Sequence, residues 1–223
     1  MTALLQPGGD AGPGRAGSPF QATNTDRNDG RNDMRRLVLQ MAMSIDGYVS
    51  GGPQEDIGSG GPEHPDVVAR KMAWISQAGA HAMGRVTYEG MAGVWPTSTA
   101  DYAKPMNEIP KVVFSKTLTH ADWPTTTIAA GDLAEEVAKL TDQPGGDVIA
   151  YGGFTLAQAL TRADLVDEYR LVIRPVALGS GEPMFRDLPA GRRLELVEAT
   201  SYPDGTIISV YRRPSSPPAV PAG

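Results

Sequence analysis

Two short stretches carry residue types suited to holding an anion: "AMGRVT", Ala82–Thr87, and "AYGGFT", Ala150–Thr155. Each passes from apolar residues of strand character into glycine and then into a helix start that contains a threonine. Glycine lets backbone come close to a ligand because no Cβ intervenes. The free amides of the following helix point outward, with the positive end of its dipole. A diphosphate could span both junctions if their strands are neighbours, since ligands collect at the carboxyl ends of strands in open α/β sheets. A glycine at such a junction is, taken alone, usually just a turn. Two of them, one followed by Arg85 and both by a threonine (Thr87, Thr155), leave the turn and the phosphate site as open readings. Neither stretch matches G-x-G-x-x-G or G-x-x-x-x-G-K-[ST], so neither is a standard dinucleotide fingerprint or P-loop. A third element, Ser115-Lys116, closes the run "KVVFSK". Its hydroxyl and ammonium suit another phosphate, such as the 2′-phosphate that separates NADP from NAD; a solvated strand end is the plainer alternative.

Other polar or flat side chains stand out by context. Gln40 interrupts an apolar run, and a buried amide needs partners, either a substrate or neighbouring backbone. Trp74 and Trp95 offer walls for a flat heterocycle, with core packing as the alternative use. His64, His81 and His120 have no ligand spacing, so no metal site is expected.

The elements needed to position these residues are legible from periodicity. Residues 36–45, "RLVLQMAMSI", suit a strand covered on both faces, as in a parallel sheet flanked by helices. A long Gly/Pro-rich loop follows, with 51–61 as a segment able to close over a site. His64-Pro65 opens a helix, with Val68, Met72, Ile75 and Gly79 as its expected apolar stripe and Gly79 as its stop. "AHAM" is a strand and "VTYEGM" a short helix. "KVVFS" and "TTTIA" are strands, and Asp132 with Glu135 starts a helix along Leu133, Val137 and Leu140. "DVIAYGG" leads into the helical "FTLAQALTRA", and "DEYRLVIRPVAL" is a long strand. Two β-rich runs around Pro203-Asp204-Gly205 form a hairpin. The expected fold class is α/β: eight strands in a central, mixed but mostly parallel sheet, about four helices, and a C-terminal antiparallel hairpin.

Bulk composition sets the boundaries. Of the 223 residues, 1–33 and 214–223 are expected to be disordered tails, because their Gly/Pro-rich polar sequence buries too little apolar surface to offset chain entropy. Residues 34–213 then form one domain, able to bury roughly 70% of its unfolded surface without a disulfide or metal staple. With no cysteine, disulfides, thiolate metal sites, cysteine nucleophiles and the Pro-Cys-x-x-Cys of zinc deaminases are excluded within this sequence. A net charge of -6 and a pI near 5.1 argue against nucleic acid or an anionic membrane as partner. The N-terminus has no secretory pattern, which makes a cytoplasmic location the expectation.

In order and spacing, "LQMAMSIDGYVS", "AMGRVTYEGMAGVWP", "VVFSKTL", "VIAYGGFTLAQAL", "DEYRLVIRPVALGSGEPMF" and the final hairpin resemble the dihydrofolate reductase-like superfamily. The chain is most similar to its riboflavin-biosynthesis branch, the RibD C-terminal domain type, over about residues 35–213. The resemblance implies an eight-stranded sheet with about four helices, and NADPH as cofactor. It implies that Gly84, Arg85, Val86 and Thr87 hold phosphate on one side, and Gly152, Gly153, Phe154, Thr155 and Leu156 the diphosphate on the other. Ser115 and Lys116 would face the ribose and its 2′-phosphate, Ala42 the nicotinamide, and Val49 would sit on a loop nearby. On the substrate side, dihydrofolate reductases carry an acid in the first helix. Here that position falls near Val68, with Asp66 two residues away, as a substrate contact or a helix-end charge. Asp46 matches an S-x-D-G pattern and Tyr151 precedes the Gly-Gly pair; either, or an ordered water, is a candidate proton donor, with turn capping and packing as their alternatives. The resulting expectation is an NADPH-dependent reductase of a small heterocyclic, ribosylamino-pyrimidine or pterin-like substrate. A weak dihydrofolate reductase and a non-catalytic nucleotide-binding module are the alternatives. The expected partner is a small molecule, and a homodimer through strand 168–178 or the hairpin stays open.

Overall fold

The computed structural model describes residues 34–50 and 63–214. The tail expected at 1–33, the loop 51–61 and nearly all of the tail expected at 214–223 lie outside the described residues. In chain order the elements are β1 (Leu37–Ser44), β2 (Tyr48–Ser50), α1 (Pro65–Ser76), β3 (Ala80–Gly84), α2 (Arg85–Ala92), α3 (Ala103–Glu108), β4 (Lys111–Phe114) and β5 (Thr126–Ala129). There follow α4 (Leu133–Thr141), β6 (Val148–Ala150), α5 (Phe154–Arg162), β7 (Glu168–Arg174), β8 (Glu182–Pro183), β9 (Glu195–Ser201) and β10 (Ile207–Arg212). Eight strands form the main sheet in the order β5-β4-β3-β6-β1-β7-β10-β9. The first six run parallel, and the β9–β10 hairpin adds the antiparallel edge that the sequence predicts.

The apolar run of β1 is explained by its place between β6 and β7, where Leu37, Val38 and Leu39 are buried. Alternate residues serve opposite faces. On one face Val38, Met83, Val113 and Ile149 pack against Ile75 of α1, Tyr88 of α2 and Met106 of α3. On the other, Leu39, Met41, Ala82 and Ala150 pack against Val137 of α4 and Ala157 and Leu160 of α5.

Some boundaries and elements differ from the sequence reading. Among the described residues there are five α-helices rather than about four, plus a 3₁₀ turn at Trp95–Thr97. The two short strands β2 and β8, which had no periodic signal, pair with each other outside the main sheet. In α1 the buried residues are Val67 and Ile75; Val68 is only half-buried, because the first turn presents its neighbour to the sheet. The helix stops at Ser76, and Gly79 has another use: a Cβ there would lie 2.2 Å from the Gly146 carbonyl oxygen, so only glycine permits that contact. The long strand ends at Arg174 rather than 178. Asp132 caps α4 as expected, its Oδ1 accepting from the amides of Ala134 (2.9 Å) and Glu135 (3.3 Å).

The segment between α2 and β4 carries Trp95, and an unexpected residue fixes it. Lys111 is fully buried, and its ammonium donates to the carbonyls of Met106 (2.9 Å), Asn107 (3.0 Å) and Ile109 (2.9 Å), capping the end of α3. Burial pulls its pKa down to about 8. The ammonium also sits 4.6 Å from the Trp123 ring, whose Nε1 donates to Asn107 (2.7 Å). Among the described residues no helix is long and apolar enough to cross a membrane.

Candidate functional site

The two glycine junctions meet. β3 and β6 are neighbours with Ala82 opposite Ala150, so Gly84 and Gly152 emerge side by side at the carboxyl edge. Gly152 has φ +77°, a left-handed conformation that points the chain back toward α2. The Gly153 amide then donates to Thr87 Oγ1 at 2.8 Å, locking one junction to the other. Gly84 packs beneath, where its ideal Cβ position is 3.8 Å from that of Leu156. The helices α2 and α5 both start here, and neither N-terminus has a side-chain cap. Two helix starts with uncapped first-turn amides thus open on one spot, which fits a pair of linked phosphates. Around them Val86, Gly153 and Thr155 are exposed, while Phe154 and Leu156 are half-buried.

Ser115 and Lys116 stand at the end of the next strand, since Gly84 is opposite Phe114. The Ser115 hydroxyl accepts from the amides of Thr117 (3.2 Å) and Leu118 (2.9 Å), forming a tight turn, and Lys116 is exposed on it. Arg85 is exposed too, but its Nη1 donates to both carboxylate oxygens of Glu89, at 2.9 and 3.1 Å. Glu89 was not among the candidates, although its i+4 spacing from Arg85 is visible in "RVTYE".

The substrate-side candidates are dispersed. Ala42 lies half-buried beside Val67, Val172 and Ile208, beneath α1. Val49 belongs to β2 and packs against the core on the α4/α5 face. Gln40 is buried on β1, and its Oε1 has no hydrogen-bond partner among the described residues. Asp66 is exposed in the first turn of α1, with its carboxylate 3.7 Å from His64 Nδ1, a helix-end position. Trp74 has Arg70 at 4.9 Å and Arg170 at 4.8 Å over its ring, so guanidinium groups occupy the indole that a heterocycle would need. Trp95 is half-buried near Tyr102 at 6.2 Å, and its carbonyl accepts from Asn107. Tyr102, which the sequence did not single out, donates to the Val68 carbonyl at 2.9 Å and ties this segment to α1. Burial, then the nearby Glu63 charge, pushes its pKa up to about 12.

Both side chains considered as proton donors are committed elsewhere. Asp46 is exposed, and its carboxylate accepts from the amides of Leu178 (3.1 Å) and Gly179 (2.7 Å). The Ser44 hydroxyl, then these amides, hold it down to about 2, so it is ionised at neutral pH. It helps join the β1–β2 turn to the chain on both sides of β8, where Ile45 N also donates to Val176 O and Met184 N to Gly47 O. Tyr151 is buried; its hydroxyl donates to Met106 Sδ at 3.4 Å and its ring meets His81 edge-on at 5.5 Å. Burial raises its pKa well above the usual phenol value.

This sheet, with its crevice at the carboxyl edge, is a dihydrofolate reductase-like α/β fold. Dihydrofolate reductase of Enterococcus faecalis, solved with NADP(H), superposes with a TM-score of 0.52 at 16% identity, covering 81% of this chain and 98% of that one. A protein of Shewanella sp. PV-4, provisionally assigned to riboflavin biosynthesis, superposes at 0.66 with 22% identity over 80% and 99% of the two chains. More narrowly, the chain belongs to the RibD C-terminal domain family, whose model matches residues 35–208. In sequence it is 29% identical over 190 residues to the uncharacterized protein YyaP of Bacillus subtilis strain 168, covering 79% of this chain and 94% of that one.

Proposed function

We propose that this protein is an NADPH-dependent reductase of a small heterocycle, of ribosylamino-pyrimidine or pterin type. One observation carries the reading: two uncapped helix starts at neighbouring strand ends, joined by the Thr87–Gly153 hydrogen bond. Gly84, Arg85, Val86 and Thr87 would hold phosphate from one side, and Gly152 through Leu156 from the other. Ser115 and the exposed Lys116 stand one strand further along, where the 2′-phosphate would be received. NADPH, when bound, supplies a hydride from its nicotinamide ring.

The chain supplies position and shielding. Thr87 fixes the relative height of the two glycine junctions, and Ala42 presents a small side chain beside Val67 and Val172. Gln40, with a buried oxygen that lacks a partner among the described residues, is suited to accept a hydrogen bond from substrate. Asp46 is held ionised and the Tyr151 hydroxyl faces Met106, which favours water as the source of the proton.

The test is thermal unfolding with NADPH and with NADH. NADPH at a hundredfold over its Kd should add about 2.7 kcal/mol of stability, with a clearly smaller shift from NADH. If neither cofactor moves the transition, the reading fails. NADPH oxidation with pterins and ribityl- or ribosylamino-pyrimidines then separates a reductase from a nucleotide-binding module, which would bind without turnover.

A further inference from the structure

The two cations at the proposed phosphate cradle are not equivalent. Lys116 is exposed and forms no ion pair among the described residues. Arg85, the first residue of α2, gives one nitrogen to both oxygens of Glu89, which leaves the rest of the guanidinium edge available. Both side chains of the pair are about half exposed, at 45% and 48%. Among the described residues only their i,i+4 spacing on one helix holds them together, and exposed pairs of that kind are weak. Glu89 does nothing for the helix dipole either. It sits in the second half of an eight-residue helix, where a negative charge is unfavourable.

Resting on the cofactor reading above, we propose that Glu89 sets the affinity of the cradle by competing with the cofactor's phosphate for Arg85. An incoming phosphate finds Lys116 open but must share or displace a carboxylate at Arg85. The grip on the bound phosphate is correspondingly looser, and the oxidised cofactor leaves more readily once the hydride is spent.

Glu89→Gln tests this, with NADPH affinity measured by fluorescence titration in the full chain. The expected result is about two- to fivefold tighter binding at low ionic strength, the worth of an exposed ion pair. The gain should shrink as salt is added and should vanish when Arg85→Ala is already present. Unchanged or weaker binding by Glu89→Gln overturns the proposal. So does an equal gain in the Arg85→Ala background, which would be a general effect of removing charge. Melting without cofactor confirms that each variant is folded. Failure of the parent protein to bind NADPH overturns the cofactor reading and this proposal together, whereas NADPH binding that ignores Glu89 overturns this proposal alone.

Discussion

Gly152→Ala attacks the site at its tightest point. The residue has φ +77°, and placing a non-glycine residue in the left-handed region costs about 1–2 kcal/mol. The new Cβ would lie 2.2 Å from Thr87 Cγ2 and 2.6 Å from its Oγ1, well inside contact distance. Thr87 must therefore move, and its 2.8 Å bond from the Gly153 amide is lost, for about another 1 kcal/mol. The sum is about 2–3 kcal/mol, or a fall in Tm of about 4–12 °C for a domain of this size. Urea and thermal unfolding without cofactor measure it. The cause can be isolated by a double-mutant cycle. In a Thr87→Ala background the bond and the two closest contacts are already gone and only a 2.9 Å approach to the residual Cβ remains, so Gly152→Ala should cost the φ strain and the small shift that relieves that contact. A coupling of about 1 kcal/mol is the expected result. If Gly152→Ala costs less than about 0.5 kcal/mol, or if the two changes simply add, the two junctions are not locked as described. NADPH affinity should fall in the same variant, since both helix starts shift.

Two further substitutions probe the groups that first suggested themselves as acids. Asp46 has a folded pKa of about 2 against an ordinary 3.8, so its contribution is complete above the unfolded value and is lost as pH falls through the folded one. The Tm difference between the parent and Asp46→Asn should be constant above about pH 5 and shrink below about pH 4; a difference that persists undiminished to about pH 2.5 would show that the ionised carboxylate is not its origin. Tyr151→Phe removes only a hydroxyl facing Met106 Sδ, so turnover should stay within about twofold of the parent, whereas loss of a true general acid costs about a hundredfold or more.

The meeting of the two glycine junctions was legible in the sequence because backbone makes it. A glycine that ends an apolar run and precedes a helix says where the chain turns and where free amides appear, and Gly84 and Gly152 are used in that way. The substrate half was not, because side-chain direction decides it. Tyr151 has a hydroxyl that the sequence cannot aim; burial on the α1/α3 face sends it to Met106. Trp74 is flat and central, but Arg70, one turn before it on α1, and Arg170 of β7, distant in the chain, claim its ring. Asp46 in "SIDG" was open to capping or catalysis, and the amides that hold it belong to Leu178 and Gly179, a long-range pairing without periodic signal. β2 and β8 were missed for the same reason: with three and two residues they are too short to show alternation.

Strand order and register together explain how an acidic chain without a standard phosphate fingerprint brings two glycine junctions and two helix starts to one spot, the arrangement on which the proposed phosphate cradle rests. The connection from β1 through α1 to β3 and the one from β6 through α5 to β7 lie on opposite faces, and each passes over a strand. β6 is thereby placed between β3 and β1, so the crevice opens at its carboxyl end. Register then sets the fine geometry. Ala82 is opposite Ala150, and the glycines two residues beyond each, Gly84 and Gly152, stand level on strands about 4.8 Å apart. A slip of one residue would displace them by about 3.3 Å, enough to break the Thr87–Gly153 bond and turn one helix start away from the other. The slip is resisted by Val148, Ile149 and Ala150, all fully buried, since it would exchange the side chains of the two faces. In a fingerprint loop one run of glycines makes the whole cradle. Here two modest junctions, 68 residues apart in sequence from Gly84 to Gly152, make it only because the buried strands that precede them pair in one register.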